Sequence, residues 1–174
     1  MRVGGEFRMY YTAIGDYFDK PPGVRTGHGN HIPWIGIGYA VSRDGLHWEK
    51  PFDKLMVAPR GLGADPYEYI NSKPCVIRDG AGWRMFISTY GYAYRIRSLV
   101  SEDGLRWTRV PSGPDGDLGI GAPGAFDDDK RCYPSVIKSG ETYQLWYTGN
   151  GTGASGQPGY KPGTGMGYCV GHFA

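Results

Sequence analysis

The chain alternates short apolar and aromatic runs with breaks of glycine, aspartate and proline. Residues 7–12, 39–42, 74–78, 83–88, 98–101, 134–138 and 143–148 are such runs. Each is rich in β-branched and aromatic side chains and bounded by turn formers, so each predicts a strand. The runs also repeat. Pro74-Cys75-Val76-Ile77-Arg78-Asp79-Gly80 returns 60 residues later as Pro134-Ser135-Val136-Ile137-Lys138-Ser139-Gly140. Trp83–Ser88 returns at the same distance as Tyr143–Thr148, and an upstream copy occupies Phe7–Thr12. Tyr39-Ala40-Val41-Ser42-Arg43-Asp44-Gly45-Leu46-His47-Trp48 matches the segment ending Ser101-Glu102-Asp103-Gly104-Leu105-Arg106-Trp107 at a distance of 59. A shortened copy, Gly167–Gly171, lies near the C-terminus.

Asp79-Gly80 and Ser139-Gly140 predict hairpin turns. Asp44-Gly45 and Asp103-Gly104 predict tight turns with positive φ, after which the Leu and Trp return into the core. Gly91 and Gly151 read as further punctuation after the second strand. One repeat is then about four antiparallel strands, the pattern of a β-propeller blade. A β-sandwich of similar hairpins is the other reading, and the shared register of three copies favours the propeller. The fold class expected is all-β, with four-stranded antiparallel blades in an incomplete ring. The whole chain, 1–174, reads as one domain: a partial blade over 1–60, a full blade over 69–111 and a partial blade over 124–174. The first copy begins at its second strand, with Gly4-Gly5 at the preceding turn, and the last stops after its third. Two and a half to three blades cannot close a ring of four to eight. Three outcomes stay open: an open fragment, a ring completed by a second copy, or a piece of a longer protein. The unpaired edges favour self-association into a homo-oligomer.

Composition narrows the class. Thirty glycines among 174 residues, with 13 prolines, would suit disorder, but 14 tyrosines, 6 phenylalanines and 5 tryptophans argue against it. A net charge of +2 with no basic run gives no footprint for nucleic acid. Cys75, Cys132 and Cys169 form no C-x-x-C pair, so reduced thiols are expected. Neither they nor the four histidines show zinc-ligand spacing, and no metal or cofactor is expected. His28 and His31 fall in a Gly/Pro-rich insertion from Asp16 to Pro33, read as a surface loop, as is Gly149–Gly165. The segment starting Met1-Arg2-Val3 has no apolar h-region and no run is long enough to span a membrane, so a cytoplasmic location is expected.

Tyr-Ala-x-Ser-x-Asp-Gly-Leu-x-Trp, Pro-Ser-Val-Ile-Lys-x-Gly and Leu-Trp-Tyr-Thr-Gly resemble the blade motifs of the five-bladed β-propeller glycoside hydrolases, the arabinanase, levansucrase and invertase-like superfamily. The resemblance runs from about Phe7 to Val170 and is to the C-terminal three blades of a longer member. It implies a carbohydrate partner at the propeller axis, and hydrolysis by carboxylates at the starts of inner strands. One such group protonates the leaving oxygen and another attacks or activates water. In this chain the residues before Pro74 and Pro134 are Asn71-Ser72-Lys73 and Arg131-Cys132-Tyr133, with no carboxylate.

The nearest acids are Glu68 and the run Asp127-Asp128-Asp129. The segment from Phe126 to Pro134 is similar to a Trp-Asp-Ser-Glu…Tyr-Pro stretch of the superfamily, which matches Asp127 and Asp129 to its acids. Glu68, Asp127 and Asp129 are thus the catalytic candidates, and a solvated acidic loop is the alternative. The run lacks the spacing of a calcium loop. Arg131, Tyr133, Tyr69, Lys73 and Asn71 are the substrate-binding candidates, within a wider group that includes Tyr67, Tyr90, Tyr92 and Tyr94. Trp48 and Trp107, being repeated, read as blade packing. A module that has lost the triad, and binds sugar or serves assembly, is the alternative function.

Overall fold

The computed structural model describes residues 1–22, 30–60, 65–151 and 169–173. Its ten strands are β1 (Arg2–Val3), β2 (Glu6–Asp19), β3 (His31–Ser42), β4 (Ile70–Asp79), β5 (Gly82–Tyr90), β6 (Tyr94–Ser101), β7 (Thr108–Arg109), β8 (Lys130–Ser139), β9 (Thr142–Asn150) and β10 (Cys169–Phe173). They form three antiparallel sheets, β1-β2-β3, β4-β5-β6-β7 and β10-β9-β8. No helix occurs among the described residues. The fold is an all-β partial propeller. The middle blade has four strands, while the first has a two-residue inner stub and the last ends at its third strand. The outer edge of the first blade is made by isolated bridges, Ile37 to Val57 and Val41 to Glu49.

The turns form as their residues require. Asp79 pairs with Gly82 and Ser139 with Thr142, leaving two-residue turns that begin at Gly80 (φ 61°) and Gly140 (φ 60°). In the other motif Ser42 and Asp44 cap their own loop. The Ser42 hydroxyl accepts the Gly45 N–H at 2.8 Å, and Asp44 Oδ1 accepts the amides of Leu46 and His47, each at 2.8 Å. Ser101 and Asp103 repeat this with Gly104, Leu105 and Arg106 at 2.7–2.8 Å. Those backbone amides pull the Asp103 carboxyl down to about 2.

Side chains that alternate along each strand pack one blade on the next. Tyr10, Ile37 and Val57 of the first blade meet Met85, Ile87, Leu99 and Trp107 of the second. Phe86 and Ile96 of the second meet Val136, Leu145 and Tyr147 of the third. The repeated tryptophans diverge here. Trp107 packs edge-on against Tyr10, but Trp48 is 38% exposed and Leu46 80% exposed. The difference is positional: Trp107 packs toward the blade before it, whereas no described residue covers Trp48 in that way. The segment from Asp16 to Pro33 also departs from a loop. Tyr17, Phe18 and Asp19 pair with Pro33, Ile32 and His31 beyond a bulge, extending the β2–β3 hairpin into an arm. Ile32 of this arm packs with Tyr69 and Ile70 at the head of the middle blade. His28 and most of Gly149–Gly165 lie outside the described residues.

An ionic clamp ties the middle blade to the last. Asp79 accepts hydrogen bonds from Lys138 Nζ at 2.7 Å, Arg84 Nε at 2.8 Å and the Tyr143 hydroxyl. The Lys138 ammonium, then Tyr143 and Arg84, hold its carboxyl well below the usual carboxylate range. A depressed folded-state pKa stabilises the fold above the unfolded value, near 3.9, and the effect fades as pH falls below it. Asp79→Asn is therefore expected to lower the urea midpoint at pH 7 and to flatten its decline below about pH 4. Parallel acid limbs for the two proteins would remove the clamp from the account.

Candidate functional site

The inner strands β4 and β8 each carry a bulge near their start, between Ser72 and Cys75 and between Cys132 and Ser135. The bulged residues, Lys73 (φ 52°) and Tyr133 (φ 56°), are the non-glycine residues in the left-handed region among the described ones. A residue before proline normally favours extended backbone. Here the blade behind holds the amide instead. Lys73 N–H donates to Thr12 Oγ1 at 2.9 Å, and Tyr133 N–H donates to Ser88 Oγ at 2.6 Å. Thr12 and Ser88 are matching positions of the repeat, so one device serves both blade junctions.

The bulges turn Lys73 and Tyr133 outward, and both are exposed. The Lys73 ammonium lies 5.6 Å from the centroid of the Tyr133 ring. Tyr94 meets Tyr133 edge-on at 5.8 Å and stacks on Tyr90 at 4.3 Å. Burial raises the Tyr90 pKa, and so does the nearby charge of Asp129. Lys73, Tyr133, Tyr94, Tyr90 and Asp129 thus form a continuous band along one edge of two blades, where β4, β6 and β8 start and β5 ends. Asp129 is held at its backbone: its N–H donates to Asn150 O at 3.1 Å, and its carbonyl accepts Arg95 Nη1 at 2.8 Å. Its carboxylate pairs with Lys130 and keeps 34% of its side chain exposed.

The other candidate acids are enclosed. Glu68 has no exposed surface. Its Oε1 accepts Asn71 Nδ2 at 3.1 Å and Arg109 Nε at 2.7 Å, while Oε2 lies 3.6 Å from Arg60 and 3.8 Å from Arg97. Arg97 also donates to Asp65 at 2.5 Å. Asp127 accepts Arg131 Nε at 2.7 Å and the Tyr147 hydroxyl at 2.6 Å. Burial first, and then that carboxylate, raises the Tyr147 pKa. Both acids stand in the crossovers that carry the chain from one blade's outer edge to the next inner strand. A buried carboxylate against guanidinium holds each crossover to the blade beneath it.

The sequence candidates therefore divide into three groups. Lys73, Tyr133 and Asp129 reach the open face. Glu68 is joined to Asn71, and Asp127 to Arg131, in two buried clusters. Tyr69 is buried beneath the arm, edge-on to Tyr92 at 6.4 Å. Among the described residues no hydrogen bond or ion pair links the Glu68 cluster to that of Asp127. Arg97, Arg109 and Tyr147 carried no sequence signal, because their partners lie 20–41 residues away.

No protein-family model matches the chain. It is 35% identical over 155 residues to an uncharacterized protein of Mycobacterium tuberculosis strain CDC 1551 / Oshkosh, covering 88% of this chain and 46% of the relative. A counterpart in strain H37Rv is 34% identical over the same span. The chain thus spans about half the length of the curated relatives it matches. Among solved structures it is similar to a GH32 β-fructofuranosidase of Bombyx mori, with TM-score 0.63 and 14% identity over 99% of this chain and 32% of that one. A family 117 glycoside hydrolase of Zobellia galactanivorans gives 0.63 and 15% over 84% and 45%. An N-acetylgalactosamine deacetylase from F. plautii gives 0.64 and 18% over 97% and 46%. At these identities the shared property is the fold. The chain has the blade fold found in glycoside hydrolases.

Proposed function

We propose that the chain is the glycan-contacting part of a carbohydrate-active β-propeller, with the sugar lying across the band around Tyr133. The observation that carries this reading is that band: an ammonium, three tyrosine rings and an accessible carboxylate, set side by side by matched bulges. Aromatic faces cover the apolar C–H faces of a sugar, and phenol, ammonium and carboxylate groups hydrogen-bond its hydroxyls. Where the whole protein cleaves a glycosidic bond, Asp129 is the acid/base we assign, because its side chain is open while those of Glu68 and Asp127 are closed.

The test is a glycan array followed by calorimetric titration of the best oligosaccharide. Tyr133→Ala is expected to weaken binding roughly tenfold or more, the loss typical of an aromatic anchor. Absence of any glycan ligand at millimolar concentration, or equal affinity for the variant, would overturn the reading.

A second reading, self-assembly into a homo-oligomer, is favoured by Trp48. Its repeat partner Trp107 packs against a preceding blade, whereas Trp48 is exposed with Phe52 and Met9. Sedimentation equilibrium up to about 100 μM should then show a dimer or larger. A monomer throughout would dismiss it.

A further inference from the structure

The three inner strands end alike. Arg2 of β1, Arg78 of β4 and Lys138 of β8 stand at the same register of the repeat, across from Phe7, Trp83 and Tyr143. Each cation lies over the ring it faces: Arg2 at 5.6 Å, Arg78 at 4.0 Å and Lys138 at 4.8 Å from the centroid. All three line one open groove of about 600 Å³, a size usual for a small-ligand site. Val76 and Ile77, partly exposed, and Ile137, 50% exposed, give it an apolar wall. Among the described residues no aspartate or glutamate lines it. The groove lies at the far end of the inner strands from the band around Tyr133. Arg78 and Lys138 follow Lys73 and Tyr133 by five residues, roughly 15 Å of extended strand, and the two surfaces share no residue.

The charges are within reach of a ligand. Arg2 and Arg78 are exposed, and neither has a carboxylate partner among the described residues. Arg78 gives one N–H to Ala81 O at 3.3 Å, which leaves most of its five donors open. Lys138 is neutralised by Asp79 at 2.7 Å. Two guanidiniums therefore set the net charge of the groove. A guanidinium stacked on a ring keeps its N–H edge free, and the ring holds that edge in place before a ligand arrives. Such edges match carboxylate and phosphate oxygens in paired hydrogen bonds. A neutral molecule would leave both charges unanswered, and a cation would be repelled. An inorganic ion would meet the guanidiniums but leave Val76, Ile77 and Ile137 uncovered.

We propose that this groove binds a small organic dianion, a phosphomonoester or dicarboxylate with an apolar body. The claim is independent of the reading around Tyr133. The experiment titrates the full chain with phenyl phosphate, phthalate and adipate, and in parallel with inorganic phosphate and benzyl alcohol, by calorimetry and ligand-observed NMR. At least one organic dianion is expected to saturate, roughly tenfold more tightly than inorganic phosphate or benzyl alcohol. Its affinity should fall severalfold from about 50 to about 500 mM sodium chloride, as salt screens exposed charges. Arg2→Gln combined with Arg78→Gln should weaken it roughly tenfold or more. Ile137→Asp, which sets a negative charge on the exposed wall, should weaken it severalfold. Circular dichroism checks that the variants fold, and Tyr133→Ala should leave this affinity unchanged. The proposal is overturned if no organic dianion saturates, or if inorganic phosphate or benzyl alcohol binds as tightly. It is also overturned if the arginine double variant and Ile137→Asp both keep the parent affinity, or if Tyr133→Ala abolishes the binding.

Discussion

Glu68→Leu is expected to destabilise the fold by about 3–5 kcal/mol, the usual cost of removing one partner from a buried charge cluster. Glu68 is fully buried, and its carboxylate is the acceptor or counter-charge for Arg60, Arg97 and Arg109. Leucine would leave Arg60 and Arg97 with Asp65 as their counter-charge, and Arg109 with the Ala58 carbonyl alone. It would also free Asn71 Nδ2 from one of its two acceptors, the other being Ala58 O. For a chain of 174 residues each kcal/mol moves the unfolding midpoint by roughly 2–4 °C, so thermal scans should show a fall of about 6–20 °C. Glu68→Gln keeps the shape and an acceptor oxygen and should fall between. Asp129→Asn, at an open ion pair, should change stability by no more than about 1 kcal/mol. A Glu68→Leu midpoint within about 2 °C of the parent would show that the arginines find other counter-charges.

Gly91→Ala is expected to cost roughly 3 kcal/mol, the upper end for overpacking, since the obstacle is backbone. A Cβ at Gly91 would lie 1.9 Å from Pro66 O and 2.7 Å from Pro66 C, and a rigid carbonyl cannot swing aside as a side chain does. The same carbonyl accepts the Tyr92 N–H at 2.9 Å, so displacing it also breaks a hydrogen bond. Gly151 meets the next crossover likewise, with Ala125 O at 2.5 Å. Gly113→Ala is the control, because nothing lies within 4 Å of its Cβ position and the change should stay within about 0.5 kcal/mol. Denaturant unfolding of both variants is the measurement, and equal midpoints would show that the crossover yields at little cost. Glu68 and Pro66 share that crossover, so the Glu68 and Gly91 effects should not add.

The sequence showed what is local. Ser-x-Asp-Gly and the paired Gly80 and Gly140 carry their geometry in the residues themselves, because positive φ and side-chain caps are properties of a few neighbours. The strands and their order follow from those turns and the repeat. What escaped was set at a distance. Gly91 and Gly151 read as turn punctuation, yet neither needs positive φ; each is small because another segment's carbonyl crosses it. Trp48 and Trp107 stand in the same Ser-x-Asp-Gly-Leu-x-Trp motif, yet Trp107 packs against a neighbouring blade while Trp48 is exposed. Glu68 and Asp127 were visible as acids near inner strands, but Arg97, Arg109 and Tyr147, which enclose them, are fixed only by tertiary packing. Lys73 and Tyr133 were read as binding candidates. Their left-handed backbone was hidden by the prolines that follow, which argue for extended chain.

That left-handed backbone bears on how such a surface changes over generations. At positions 73 and 133 the chain path is held by the bulge and by a hydroxyl of the neighbouring blade, not by the side chain present. Asparagine, aspartate or glycine would occupy the same φ at equal or lower strain. Selection can therefore exchange the groups displayed there without disturbing blade packing. The two bulges make interchangeable sockets in a fixed frame, so the side chains displayed there can change while the scaffold stays.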